Sequence, residues 1–187
     1  MGQDLSTHII NLKLAKITIK EASCSKTKLS QGNNIQRKDM DFSKFTKNSQ
    51  AALLNTKELL SSLDHSAADP EHIIASVCLL DDIRNSHLAR ILSEIGSSVE
   101  ELSAKTKEYL KKKPKASPLA VSQDQLSISL TAQSFLENAL KIAQSMQDDF
   151  VSLEHLFLAG FNDKSTLPNI YKELGYKESE VKKAIDK

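Results

Sequence analysis

The chain has no tryptophan, only two cysteines, four prolines and five glycines, and aromatic residues make up 5% of its 187 positions. So little glycine and proline leaves few turn formers for a many-stranded protein, and the abundant Ala, Leu, Lys, Ser and Glu favour helix. Cys24 and Cys78 lie 54 positions apart, a spacing that gives neither a disulfide framework nor a metal pattern. Cys78, inside the run IIASVCLL, is expected to pack as a small buried hydrophobe in a reducing compartment, either cytoplasm or an organelle matrix. No apolar run approaches the roughly 20 residues that cross a bilayer. Lys13 and Lys16 interrupt the apolar positions near the start, so a secretory core is absent there. The sequence also lacks CxxC, HExxH, a nucleophile elbow and a Walker A loop. No metal and no cofactor is expected, and the chain is not expected to be an enzyme or to hydrolyse ATP by itself.

Charge is nearly balanced overall but unevenly spread. Residues 1–39 carry seven Lys/Arg against three Asp/Glu, and residues 40–187 carry 18 against 21, a net −3. A folded part of that sign lacks the basic surface that displaces counterions from nucleic acid. The basic cluster at Lys111, Lys112, Lys113 and Lys115 suits a solvated helix end, where cations meet the negative end of the helix dipole.

What the chain does have is an internal repeat. At a constant offset of 83 positions, Gln50 falls on Gln133, Leu53 on Leu136, Asn55 on Asn138, Ser62 on Ser145, and Glu71-His72 on Glu154-His155. After a loop four residues shorter in the second copy, LARILSEIG from Leu88 falls on LPNIYKELG from Leu167. Repeat one spans 40–112, a proline-bearing linker 113–125, and repeat two 126–187. In each copy, apolar residues recur at spacings of three and four, which is the helical period. Cap signals divide the copies into four helices each: Asp69-Pro70 and Ser152 at the second helix, Thr166 with Pro168 at the third, and Gly96 and Gly175 as closing residues. The expected fold is therefore all-α, two pseudo-twofold-related four-helix repeats.

Residues 1–39 match neither repeat. INLKLAKITIK alternates weakly, and the polar, turn-rich stretch that follows suggests a mobile extension or a short strand, with Met40 a plausible original start. The extension reads as a leader, a tag or a fused segment, and its Ile/Leu-rich part could occupy a groove of the folded domain. Met1-Gly2 with Ser6 fits the loose N-myristoylation pattern, a short and common one.

The most conspicuous chemistry is the recurring Glu-His pair. Glu71-His72 and Glu154-His155 occupy the second and third positions of a helix behind Asp69 or Ser152. There the carboxylate suits free backbone N–H groups and the imidazole can bond back to the cap. Recurrence at the same helix start without a third ligand favours architecture over a metal or catalytic site. His8, His65 and His87 read as solvated or locally bonded rings.

FSKFTKNSQAALLNTKELLSSLDHSAADPEHIIASVCLL and LTAQSFLENALKIAQSMQDDFVSLEHLFLAG together resemble the two Clp repeats of the N-terminal domain of Clp ATPases. Phe45-Thr46, the two Glu-His openings and the helix ends at Gly96 and Gly175 carry the resemblance. DDFVSLEH and the linker are most similar to the ClpB disaggregase branch; the ClpV branch of type VI secretion and the protease-associated ClpA/ClpC branch are rivals. The resemblance implies a non-catalytic module tethered to an AAA+ hexamer that takes part in stress-response disaggregation. It would capture exposed apolar segments of unfolded or aggregated proteins, or an adaptor peptide, and be monomeric in isolation. Thr46 matches the threonine that the family associates with substrate handling. A stand-alone accessory like the plastid ClpT proteins is a further reading.

The expected binding surface lies at the starts of the two long helices, where free polar groups meet apolar side chains. Phe45, Thr46, Leu130, Thr131, Phe135 and Leu136 are its candidates. The alternative for Phe45 and Phe135 is plain core packing, which helical-period aromatics usually mean.

Overall fold

Thr46 and Ser129, one offset apart, each stop an extended segment and start a long helix. The Thr46 hydroxyl accepts from the Ser49 N–H at 3.3 Å and the Ser129 hydroxyl from the Ala132 N–H at 3.1 Å, satisfying donors that a helix start leaves open. In the computed structural model, which describes residues 41–115 and 127–186, these caps open α1 (Lys47–Leu63) and α5 (Leu130–Ser145). Repeat one continues with α2 (Pro70–Val77), α3 (His87–Glu94) and α4 (Val99–Lys111), and repeat two with α6 (Leu153–Ala159), α7 (Leu167–Glu173) and α8 (Glu178–Ile185). Among the described residues the fold is all-α, as the periodicity and caps predict. The extension at 1–39, including Gly2 and His8, and linker positions 116–125 lie outside the described residues.

Each long helix ends on a non-glycine residue in the left-handed region, Asp64 at φ 58° and Gln147 at φ 63°. The next residue folds back, His65 N–H onto the Leu60 carbonyl at 3.0 Å and Asp148 N–H onto Ala143 at 2.9 Å. The third helices end on Gly96 (φ 78°) and Gly175 (φ 76°), where an added Cβ would be strained. Ser97 N–H reaches the Leu92 carbonyl and Tyr176 N–H the Tyr171 carbonyl, both at 2.9 Å, which makes both turns Schellman motifs.

The two repeats are stitched by reciprocal backbone pairs. Thr46 N–H donates to the Val151 carbonyl at 3.0 Å and Val151 N–H to Lys44 at 2.7 Å. Ala68 N–H donates to the Ser127 carbonyl at 2.7 Å and Ser129 N–H to Ala68 at 2.9 Å. Shifting either pair by the repeat offset generates the other, so the segment ahead of each long helix pairs with the segment ahead of the opposite short one. Around this seam one continuous core forms from both copies, including Phe45, Leu53, Ile73, Leu92, Leu102, Phe135, Leu136, Phe157, Ile170 and Tyr171. Repeat two adds an aromatic cluster of Phe157, Phe161, Tyr171 and Tyr176. Gly160 makes room for it: a Cβ there would lie 2.7 Å from the Tyr171 hydroxyl.

Candidate functional site

The Glu-His openings do more than cap. His72 Nδ1 accepts the Asp69 N–H, and His155 Nδ1 the Ser152 N–H, each at 3.0 Å. Those bonds fix the proton of each neutral ring on Nε2. In repeat two that proton points at the Asp148 carboxylate, 3.1 Å away. In repeat one it points at His65 Nδ1, 2.8 Å away. The sequence signal for these contacts is the residue that follows each left-handed helix end.

The glutamates leave their own helix and cross to the other repeat. Glu71, 0% exposed, accepts from the Thr166 N–H at 2.6 Å and from the Thr166 hydroxyl. It thereby caps α7 from outside, because Thr166 supplies no side-chain cap of its own. Glu154 makes the reciprocal reach, lying 3.5 Å from His87 Nδ1 at the start of α3. Lys113 adds a third partner, 2.6 Å from Asp69 and 3.0 Å from Glu71. Burial raises the Glu71 carboxyl, but Thr166 and Lys113 outweigh it and hold the group below the usual carboxylate range. The basic cluster is thus not wholly a solvated helix end. Lys113 belongs to the folded seam, and Lys115 pairs with Asp64 at 3.1 Å. A charge run reveals net sign but not which member a distant carboxylate will claim.

The candidate binding residues separate into two groups. Phe45, Phe135 and Leu136 are 2%, 1% and 0% exposed, so they are core and not anchors on an open surface. Phe45 lies just ahead of the α1 cap on the segment that pairs with Val151, and Phe135 and Leu136 lie in the second turn of α5, within the core shared by both repeats. Leu130 is 69% exposed at the first position of α5, and Thr46 and Thr131 are partly exposed. Phe150, 53% exposed beside the Val151 pair, was not foreseen as a surface aromatic. Cys78 is partly exposed, where full burial was expected, and lines a cavity of about 570 Å³ with Leu79, Leu80, Ile83, Val99 and Lys107. Its surroundings still push the thiol up to about 12 through desolvation. Among the described residues, no group of three or more His, Cys, Asp or Glu side chains forms a metal cage. No described helix is long and apolar enough to cross a membrane.

Residues 44–174 match the Clp repeat (R) N-terminal domain. The chain belongs to the Clp repeat N-terminal domain family. The chaperone protein ClpB of Vibrio vulnificus is 33% identical over 147 residues, which cover 79% of this chain and 16% of ClpB. The chain thus spans about a sixth of that relative's length. Among solved structures, the Hsp104 N-terminal domain from Candida albicans aligns with a TM-score of 0.61 at 25% identity, covering 75% of this chain and 87% of that one. The N-domain of ClpV from Vibrio cholerae gives 0.61 at 16% identity, covering 77% and 84%, a likeness of fold alone. In this Clp N-terminal domain, the glutamates of the Glu-His openings that mark the repeats also reach across to the opposite repeat.

Proposed function

We propose that this Clp N-terminal domain is the non-catalytic substrate- or adaptor-binding module of a ClpB-type disaggregase, tethered to an AAA+ hexamer. It captures exposed apolar segments of unfolded or aggregated proteins. The observation that carries the reading is the exposed Leu130, set one residue beyond the N-cap Ser129 on a chain 33% identical to ClpB. An apolar side chain beside a helix start offers an anchor and polar groups for a bound backbone. Thr46 and Lys47 occupy the pseudo-equivalent positions in repeat one, so the two sites differ in that one presents leucine and the other lysine. One site comprises Leu130 and Thr131 and the other Thr46 with the exposed Phe150, which adjoins the Thr46–Val151 pair. The buried Phe45, Phe135 and Leu136 belong to the core behind them.

A two-dimensional NMR titration of the full chain with a reduced, alkylated small protein tests this reading. Shifts should cluster at Leu130, Thr131 and Thr46, and Leu130→Ser should weaken binding about three- to tenfold, the loss of one apolar anchor. Its melting temperature should stay that of the wild type. Silence toward unfolded chains would refute the reading. Tight binding of one helical peptide at the Cys78–Lys107 cavity would instead favour an adaptor reader, the alternative that this cavity supports.

A further inference from the structure

We propose that the His65–His72 pair is a proton-operated latch, which holds the start of α2 and its seam to the second repeat closed at neutral pH and releases them on acidification. The geometry admits one arrangement of protons. His72 Nδ1 accepts from Asp69 N–H at 3.0 Å, so Nε2 carries the hydrogen and donates to His65 Nδ1 at 2.8 Å. A proton added at His65 Nδ1 sets two N–H groups face to face, and one added at His72 Nδ1 opposes the Asp69 N–H. Either event breaks a bond that is buried, since His65 is 6% and His72 1% exposed.

Among the described residues, the carboxylates around the pair already have cationic partners. Asp69 and Glu71 are held by Lys113, and Asp64 by Lys115. Burial and Lys113 push His65 and His72 down, His72 to about 4, against the opposing pull of Asp69 and, on His72, Glu71. In the second repeat Asp148, one offset from His65, faces His155 at 3.1 Å; burial still pushes His155 down, with the Asp148 carboxylate pulling against it. The ring-to-ring bond, which no added proton can bridge, is therefore particular to repeat one. What it holds is specific, because Asp69 follows Ala68, whose N–H and carbonyl both pair with the segment entering α5.

The sign follows from linkage. The folded-state value of His72 lies below its unfolded value of 6.5. Stability from the neutral ring is complete above that pH and is lost as pH falls toward about 4. Amide hydrogen exchange of the full chain at pH 7.2 and 5.2, corrected for intrinsic rates, tests the latch. Protection of the Ala68, Asp69 and His72 amides should fall on the order of tenfold, with Val151, Ser152 and His155 falling by clearly less. His65→Asp, which puts a carboxylate where the second repeat has Asp148, should shrink the fall to that of the second repeat. His72→Gln, whose amide oxygen can still accept the Asp69 N–H but does not titrate, should abolish it and serves if the first variant does not fold. Undiminished protection in the wild type, equal loss in both repeats, or an unchanged fall in a folded variant would overturn the proposal.

Discussion

Replacing Glu71 by alanine should cost far more stability than replacing Glu154, although the two residues are equivalent by sequence. Glu71 is fully buried and serves the Thr166 N–H, the Thr166 hydroxyl and Lys113. Its loss leaves two donors without an acceptor at the start of α7, at about 1–3 kcal/mol each if no water replaces them. Breaking a buried pair by removing one partner costs about 3–5 kcal/mol. The Lys113 side chain is 25% exposed and keeps Asp69, so the lower end, about 3 kcal/mol, is expected. The Glu154 side chain is 13% exposed and faces a 42% exposed His87 at 3.5 Å. That contact is worth less than about 1 kcal/mol, comparable to an acid at any helix start. Urea unfolding of the full chain reads the difference: with a slope of about 2 kcal/mol/M, the midpoints should drop by about 1.5 M and less than about 0.5 M. Thr166→Val should lower the cost of the Glu71 change by at least about 1 kcal/mol in a double-mutant cycle. Equal midpoint losses for the two glutamates, or additivity with Thr166→Val, would refute the claim that Glu71 caps the opposite repeat.

Other outcomes follow from the same packing. Phe135→Ala should destabilise the chain by about 3–5 kcal/mol, as deletion of a buried aromatic does, where Leu130→Ser leaves the melting temperature unmoved; differential scanning calorimetry compares the two. Gly160→Ala should destabilise it measurably in the same calorimetry, because the new methyl meets the Tyr171 ring at 2.8 Å and that ring is locked by three aromatic neighbours. Cys78, held up to about 12, should be alkylated by iodoacetamide far more slowly than a free thiol at pH 8, followed by mass spectrometry of the Cys78 peptide.

The duplication, the all-α class and the order of helices were legible because their signals are local. A cap needs a hydroxyl three residues before an N–H, as at Thr46 and Ser49, and a closing turn needs a residue that accepts positive φ, as at Gly96 and Gly175. Such requirements are met within one turn of chain and survive in both copies at a fixed offset. Leu130 and Thr46 could likewise be placed at helix starts from sequence. The core packing that helical spacing favours for Phe45 and Phe135 is what the structure shows, whereas which side chains near the helix starts stay open depends on which face the other repeat covers.

The repeat, its helices and the place of each Glu-His pair at a helix start are thus written in local residue patterns. What those pairs do emerges only when the two copies pack. Glu71 finds Thr166 95 positions away, and Lys113 finds Asp69 across 44, distances over which no local propensity acts. His65 and His72 meet because a left-handed residue turns the end of α1 back onto the start of α2. The copies are alike where the chain folds on itself and differ where they pack on each other, since reciprocal packing gives equivalent positions different neighbours.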